Sequence, residues 1–316
     1  MNKIRNILHP TDLSPNALDA MGHAIRFARK ANARLHVLHV APVFGEDPLR
    51  NAFRVAISED TFYRRLRDEM DQKMLACLDE YDLTGLDVCR VHSRGVSAAD
   101  VILNYVEANE MDLVVMGTHG YGGLRKILLG STALKVLRNA ACDVLTVPMD
   151  NEHDIAKQVD SILVPIDFTS KPEELLANSV NLANLFSCRI DVLHVIESIP
   201  VPIWGIDVAA LDGLYSNQEP QIKNKIKQLI APYEGDAQFT ISVVSGQPSK
   251  IVTEFSRKSG NAMVVLAPNC TSWLERMPMA SVTEYILSHS SSPVYTLQSK
   301  EEEPVLDAAS QLHSTI

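Results

Sequence analysis

Residues 114–137, VVMGTHGYGGLRKILLGSTALKVL, run from an apolar strand-like stretch through a glycine-studded loop into a helix start. The stretch ends at Met116 and Gly117, with Thr118, His119 and Gly120 next; after a gap of nine residues come Gly130, Ser131 and Thr132. Glycine, lacking Cβ, lets main chain approach a ligand closely and take up positive φ. A helix N-terminus presents unpaired N–H groups and a partial positive charge, both favourable to phosphate. The hydroxyls of Ser131 and Thr132 add donors at the same place. The spacing predicts a clamp: a loop at 117–120, a helix start at 130–132, a polyphosphate between them, and Arg125 and Lys126 nearby to offset its charge. Taken singly, Gly117 also reads as a strand end and Gly130–Ser131 as a routine cap, and those readings stay open.

Other chemistries lack their spacing. A Walker A loop needs G-x4-G-K-[ST], which GGLRKILLGST does not supply, and no G-x-G-x-x-G follows the first strand, where HPTDLSP stands. A phosphoacceptor receiver domain would want an Asp at the end of the third strand, where the chain has RVHSRG. Ser131 as a nucleophile lacks G-x-S-x-G and has no base placed beside it, so no catalytic residue is assigned. His9, His39 and His119 have no Cys or carboxylate spacing around them and read as partly buried structural histidines, so no metal ligands are assigned. The net charge of −10 argues against a nucleic-acid partner. Five scattered cysteines without a CxxC, the lack of a signal-peptide pattern and of any long apolar run imply a cytoplasmic protein with free thiols and no membrane span.

The elements that must position the clamp come twice. NILHPTDLSPNALDAMGHAIRFARKANARLHVLHVAP (6–42) lies over SILVPIDFTSKPEELLANSVNLANLFSCRIDVLHVIE (161–197) without a gap, placing Asp12 on Asp167, His39 on His194 and Val40 on Val195. Later parts match at an offset of 150: Met116 falls on Leu266 and Ser131 on Ser281, with DVLTVP (143–148) laid on SPVYTL (292–297). Such duplication means two copies of one domain. In the first copy NILHP, RLHVLHV, DVCRV, DLVVMG and DVLTVP read as strands buried on both faces. Ser14 and Pro15 open a helix whose face carries Leu18, Met21, Ile25 and Ala28, and further helices are expected near 58–81, 97–109 and 131–140. Alternation of this kind predicts an α/β fold of two tandem flavodoxin-like or Rossmann-like domains, each a five-stranded parallel sheet with helices on both faces. Ligands of such sheets bind at the carboxyl ends of strands where the strand order reverses.

The spacing of Gly117, Gly120, Gly130 and Ser131 resembles the ATP-binding signature of the universal stress protein family, and ILHPTDLS, LHVLHV and DLVVMGTHG resemble it at matching positions. The likeness covers nearly all of residues 3–148 and, more loosely, 160–298. It implies that Asp12, beside Pro10 and Thr11, contacts adenosine; that Val40 packs on adenine and pairs with it through its backbone; and that Gly117, Gly120, Gly130, Ser131 and Thr132 hold the phosphates. Met116, the residue before Gly117, is counted in the same site. ATP is the implied cofactor, with Mg2+ carried on its phosphates. The resemblance also implies a nucleotide-responsive stress or signalling module, with domains pairing through their last strands inside the chain and in a homodimer. The rival expectation is a slow ATPase or self-phosphorylating enzyme with Ser131 or Thr132 as acceptor.

The second copy departs from the pattern. Gly117, Gly120 and Gly130 become Ala267, Cys270 and Ala280; Thr118 and His119 become Pro268 and Asn269; Ser281, Asp167 and Val195 remain. Each lost hydrogen bond to a charged group costs about 1.5–3 kcal/mol, so this half is expected to hold ATP poorly. TSWLERMPM (271–279) and the apolar insertion VPIWGIDVAALDGLY (201–215) read as packing surface or as a place for a different, apolar ligand. The expected organisation is an ATP-binding domain over 1–148, a polar linker over 149–160, a degenerate domain over 161–298 and a mobile acidic tail over 299–316.

Overall fold

The computed structural model describes residues 3–42, 59–118, 129–149, 159–168, 171–197, 208–259, 262–267 and 282–298. In the first half β1 (Asn6–Thr11), α1 (Pro15–Ala31), β2 (Arg34–Pro42), α2 (Glu59–Leu78), β3 (Val88–Gly95), α3 (Ala98–Ala108), β4 (Leu113–Gly117), α4 (Ser131–Asn139) and β5 (Asp143–Val147) follow in order. The second half repeats them as β6 (Ser161–Pro165), α5 (Pro172–Phe186), β7 (Arg189–Glu197), α6 (Val208–Ile230), β8 (Phe239–Gly246), α7 (Pro248–Lys258), β9 (Ala262–Leu266), α8 (Val282–His289) and β10 (Val294–Thr296).

The strands lie where the apolar runs predict, and the inner ones are covered on both faces and so have no polar side to alternate with. Strand β3, at the end of the sheet, has no fully buried residue and departs from that expectation. In β4, Leu113, Val114 and Val115 are all fully buried. Helix α1 starts where Ser14 accepts a hydrogen bond from the Ala17 N–H and ends at Asn32, whose backbone is left-handed (φ 50°). Its counterpart α5 ends the same way at Ser187 (φ 56°), so the duplication reaches the helix caps. The buried face of α1 takes in Met21, Ile25 and Ala28 as expected, together with Ala17, Ala24 and Phe27, whereas Leu18 lies at its half-buried margin.

All ten strands form one sheet in the order β3-β2-β1-β4-β5-β10-β9-β6-β7-β8. Within each half the pairs are parallel, and the halves join through β5 and β10, which are antiparallel. Register corrects one detail of the repeat. Leu8 pairs Val114 and Val114 pairs Val144, while Leu163 pairs Val264 and Val264 pairs Val294. Val144 is thus equivalent to Val294, one residue away from the match of DVLTVP with SPVYTL. Nor is 201–215 an insertion: residues from Val208 onward belong to α6, the counterpart of α2, and 201–207 lie outside the described residues.

Helices α1, α2, α5 and α6 cover one face of the sheet, and α3, α4, α7 and α8 the other. The first face carries a single core across the junction, where Phe27 of α1 meets Phe186 of α5 edge-on at 4.7 Å and stacks near Tyr295 of β10 at 6.1 Å. Residues 150–158 of the linker and the tail beyond residue 298 lie outside the described residues, and Val159, just ahead of β6, is buried in this same core.

Candidate functional site

In each half the chain winds outward in both directions from the first strand, so the order reverses between β1 and β4 in one half and between β6 and β9 in the other. Helices leave that point on opposite faces, opening a crevice at the carboxyl ends of these strands. Pro10 and Thr11 end β1. The next turn is tightly specified: the Thr11 hydroxyl accepts from the Leu13 N–H at 3.0 Å and the Asp12 carboxylate accepts from the Ser14 N–H at 3.0 Å. Between them Leu13 is left-handed (φ 62°), a conformation costly for a branched residue. Phe168, its counterpart in the second half, has φ 61°. Both turns keep this strain, and in both the residue before it is an exposed aspartate, Asp12 or Asp167.

Val40 stands near the end of β2, one residue past the last β1–β2 pair, Thr11 with His39. Its side chain packs on the α3/α4 face with Leu38 and Met116, whereas Val37 and Leu35 face α1 and α2. Gly117 ends β4. A Cβ built there would lie 2.9 Å from the Asn16 side-chain nitrogen and 3.0 Å from the Asn16 carbonyl oxygen. Gly117 is therefore bare for a reason independent of any ligand, namely the close approach of the first turn of α1.

After Thr118 the chain returns at residue 129, and the Gly130 N–H donates to the Thr118 carbonyl at 2.8 Å. That bond ties the start of α4 to the end of β4. It also uses a donor that the clamp assigned to phosphate. Gly130 is extended (φ −60°, ψ 146°) and gives α4 no side-chain cap. The N–H groups of the first turn of α4, with the exposed Ser131 and the half-buried Thr132, remain the positive end of a helix dipole. The structure thus brings Pro10, Thr11, Asp12, Val40, Met116, Gly117, Gly130, Ser131 and Thr132 to one crevice. Gly120, His119, Arg125 and Lys126 lie outside the described residues.

The histidines differ in kind. His9 is fully buried, its Nδ1 donating to the Val115 carbonyl at 2.8 Å, and burial lowers its pKa to about 4 despite that bond and the Asp12 charge. His39 is also lowered, by burial first and then by neighbouring His92, against the pull of Asp12. Neither is partly exposed as the sequence suggested; both are buried. In the second half Phe168 lies over His194 at 5.0 Å, with the Lys225 ammonium 5.7 Å from the Phe168 ring centre. Phe168 thus packs on the core of the α5/α6 face, as Leu13 packs on that of the α1/α2 face in the first half.

The sequence pattern of the Universal stress protein family matches residues 3–148 and again residues 158–298. The chain belongs to the universal stress protein family. A universal stress protein of Methanocaldococcus jannaschii is 33% identical over 148 residues, covering 46% of this chain and 83% of the relative. Universal stress protein A homolog 1 of Coxiella burnetii is 33% identical over 150 residues, covering 46% of this chain and 96% of the relative. The crystal structure of a universal stress protein from Archaeoglobus fulgidus aligns with 95% of this chain and 98% of its own, at a TM-score of 0.62 and 18% identity, a likeness of fold. Among the described residues no helix is long and apolar enough to cross a membrane.

The relevance of Asn16 and of Leu13 is not legible from spacing. Asn16 meets Gly117 across a hundred residues of chain, and nothing in the composition of DLSPN marks a left-handed leucine. The duplication does offer a signal in hindsight, since a turn held by two side-chain hydrogen bonds follows β1 where a short polar string, PTDLS, interrupts apolar sequence.

Proposed function

We propose that the first copy of this universal stress protein binds ATP in the β1/β4 crevice and acts as a nucleotide-responsive stress or signalling module. The observation that carries the reading is the meeting of two features at one strand-order reversal: the strained turn presenting Asp12, and a helix N-terminus without a side-chain cap. Asp12 accepts ribose hydroxyls, the Val40 backbone pairs with adenine, and the first turn of α4 with Ser131 and Thr132 takes phosphate, carrying Mg2+ where present. Gly117 acts by letting α1 close on β4 rather than by touching phosphate, and Gly130 acts through Ser131 and Thr132 behind it. The second copy is degenerate: its three glycines are replaced by Ala267, Cys270 and Ala280, so it supplies sheet partners and not a second nucleotide site.

Calorimetric titration of the full chain with ATP tests this. One site per chain is expected, weakened by Asp12→Ala by roughly tenfold or more and untouched by Cys270→Ser. Two equal sites, or none, would overturn it.

A further inference from the structure

On the opposite face of β2 from Val40 lies a cavity of about 540 Å3 that none of the predicted site residues line. Its walls include His39 of β2, His92 and Arg94 of β3, and Arg64 and Arg67 of α2. Three arginines thus line it with two histidines, whose rings lie 6.0 Å apart, in a chain whose net charge is −10. Asp71 is held by Arg90 and by the His92 Nε2, each at 3.2 Å, while Asp68 sits beside Arg67 at 3.4 Å and the Asp12 charge acts on His39. Arg64 reaches the Thr61 hydroxyl at 3.4 Å. The Nδ1 of His92 is buried and makes no hydrogen bond among the described residues.

The second half provides an internal comparison. His39 pairs His92 as His194 pairs Val243, so Val243 and Ser245 stand where the first half has His92 and Arg94. Met74 and Leu78 of α2 match Ile226 and Ile230 of α6 in the same core, which puts Glu219 in place of Arg67 and Lys223 in place of Asp71. The apolar packing beneath is repeated and the basic lining is not. Packing therefore does not require the arginines.

We propose that this cavity is a second ligand site, separate from the β1/β4 crevice, which takes a small free anion bearing a phosphoryl group. Its volume suits a ligand of metabolite size. Forked guanidinium donors from two elements match the oxygens of a phosphate monoester, and the imidazoles supply further donors.

The test is proton NMR of the histidine side chains of the full chain, titrated with inorganic phosphate against sodium chloride and sodium acetate at matched ionic strength, without nucleotide. Saturable shifts confined to His39 and His92, with the His39 pKa moved upward, are expected with phosphate. Arg64→Gln combined with Arg94→Gln should weaken them roughly tenfold or more, and both side chains are exposed, so backbone spectra confirm an intact fold. Equal shifts with chloride or acetate, or phosphate shifts that survive the double substitution, would overturn the site. ATP calorimetry on the unsubstituted chain and on the variant separates the two readings. In the unsubstituted chain, ATP binding without saturable phosphate shifts sinks this proposal alone, and phosphate shifts without ATP binding sink the nucleotide site alone. A variant that loses ATP binding together with the phosphate shifts overturns the separateness of the two sites.

Discussion

At the scale of single residues, two groups near the crevice carry measurable consequences. Gly117→Ala is expected to destabilise the fold by about 1–3 kcal/mol, because the added Cβ meets the Asn16 backbone, which cannot rotate away. Urea unfolding would show it, and an unchanged midpoint would refute the contact. His9 sets a pH dependence. Its folded pKa of about 4 lies below the ordinary 6.5, so the unfolded chain binds the extra proton between those values. Stability is therefore full above about pH 6.5 and falls as pH drops toward 4, by about 3 kcal/mol in all. His9→Gln, which keeps a donor for Val115, should flatten that part of the unfolding free energy against pH. The glycine spacing was legible in the sequence because backbone clearance leaves a residue-type signature. The cause of one of those glycines was not, since it lies in a contact made by a residue of α1.

At the scale of elements, α1 both packs the core and shapes the turn that presents Asp12. Ser14 links the two roles, capping α1 through its hydroxyl and holding Asp12 through its N–H. Ser14→Ala should cost about 1 kcal/mol of stability, read by thermal unfolding, while leaving Asp12 in place, since alanine keeps the N–H from which that carboxylate accepts. Strands were readable as apolar runs bounded by polar residues, and helix ends by Ser14 and Pro15. The basic cavity was not, because Arg64, Arg67 and Arg94 are spread over two elements with no shared periodicity, and only the adjacency of α2 and β3 on one face gathers them.

At the scale of the whole molecule, the two copies are welded into one sheet. The pairs Val144–Thr296 and Thr146–Val294 flank a central pair, Leu145–Tyr295, through which the local twofold passes. The symmetry breaks at that point. The buried Tyr295 hydroxyl donates to the Asp143 carboxylate at 2.8 Å, which also accepts from the Gln298 N–H at 2.9 Å, and burial beside that carboxylate drives the phenol pKa well upward. Tyr295→Phe should cost about 1.5–3 kcal/mol and speed amide exchange in β5 and β10 together; exchange speeded in β10 alone would show that the strands do not open as a unit. Pairing of last strands was foreseen from family resemblance, but its asymmetry was not, since Asp143 and Tyr295 are distant in sequence and differ from their own counterparts. Among the described residues the outermost strands of the sheet are β3 and β8, and any association between two chains must find a surface other than the one consumed here. Covalent tethering holds the partner strand at high local concentration. In an assembly of two identical chains every change beside the axis appears twice and must suit both places; in this chain it appears once. One polypeptide can therefore place a donor on one side and its acceptor on the other, and let the two crevices drift toward different ligands without parting the halves.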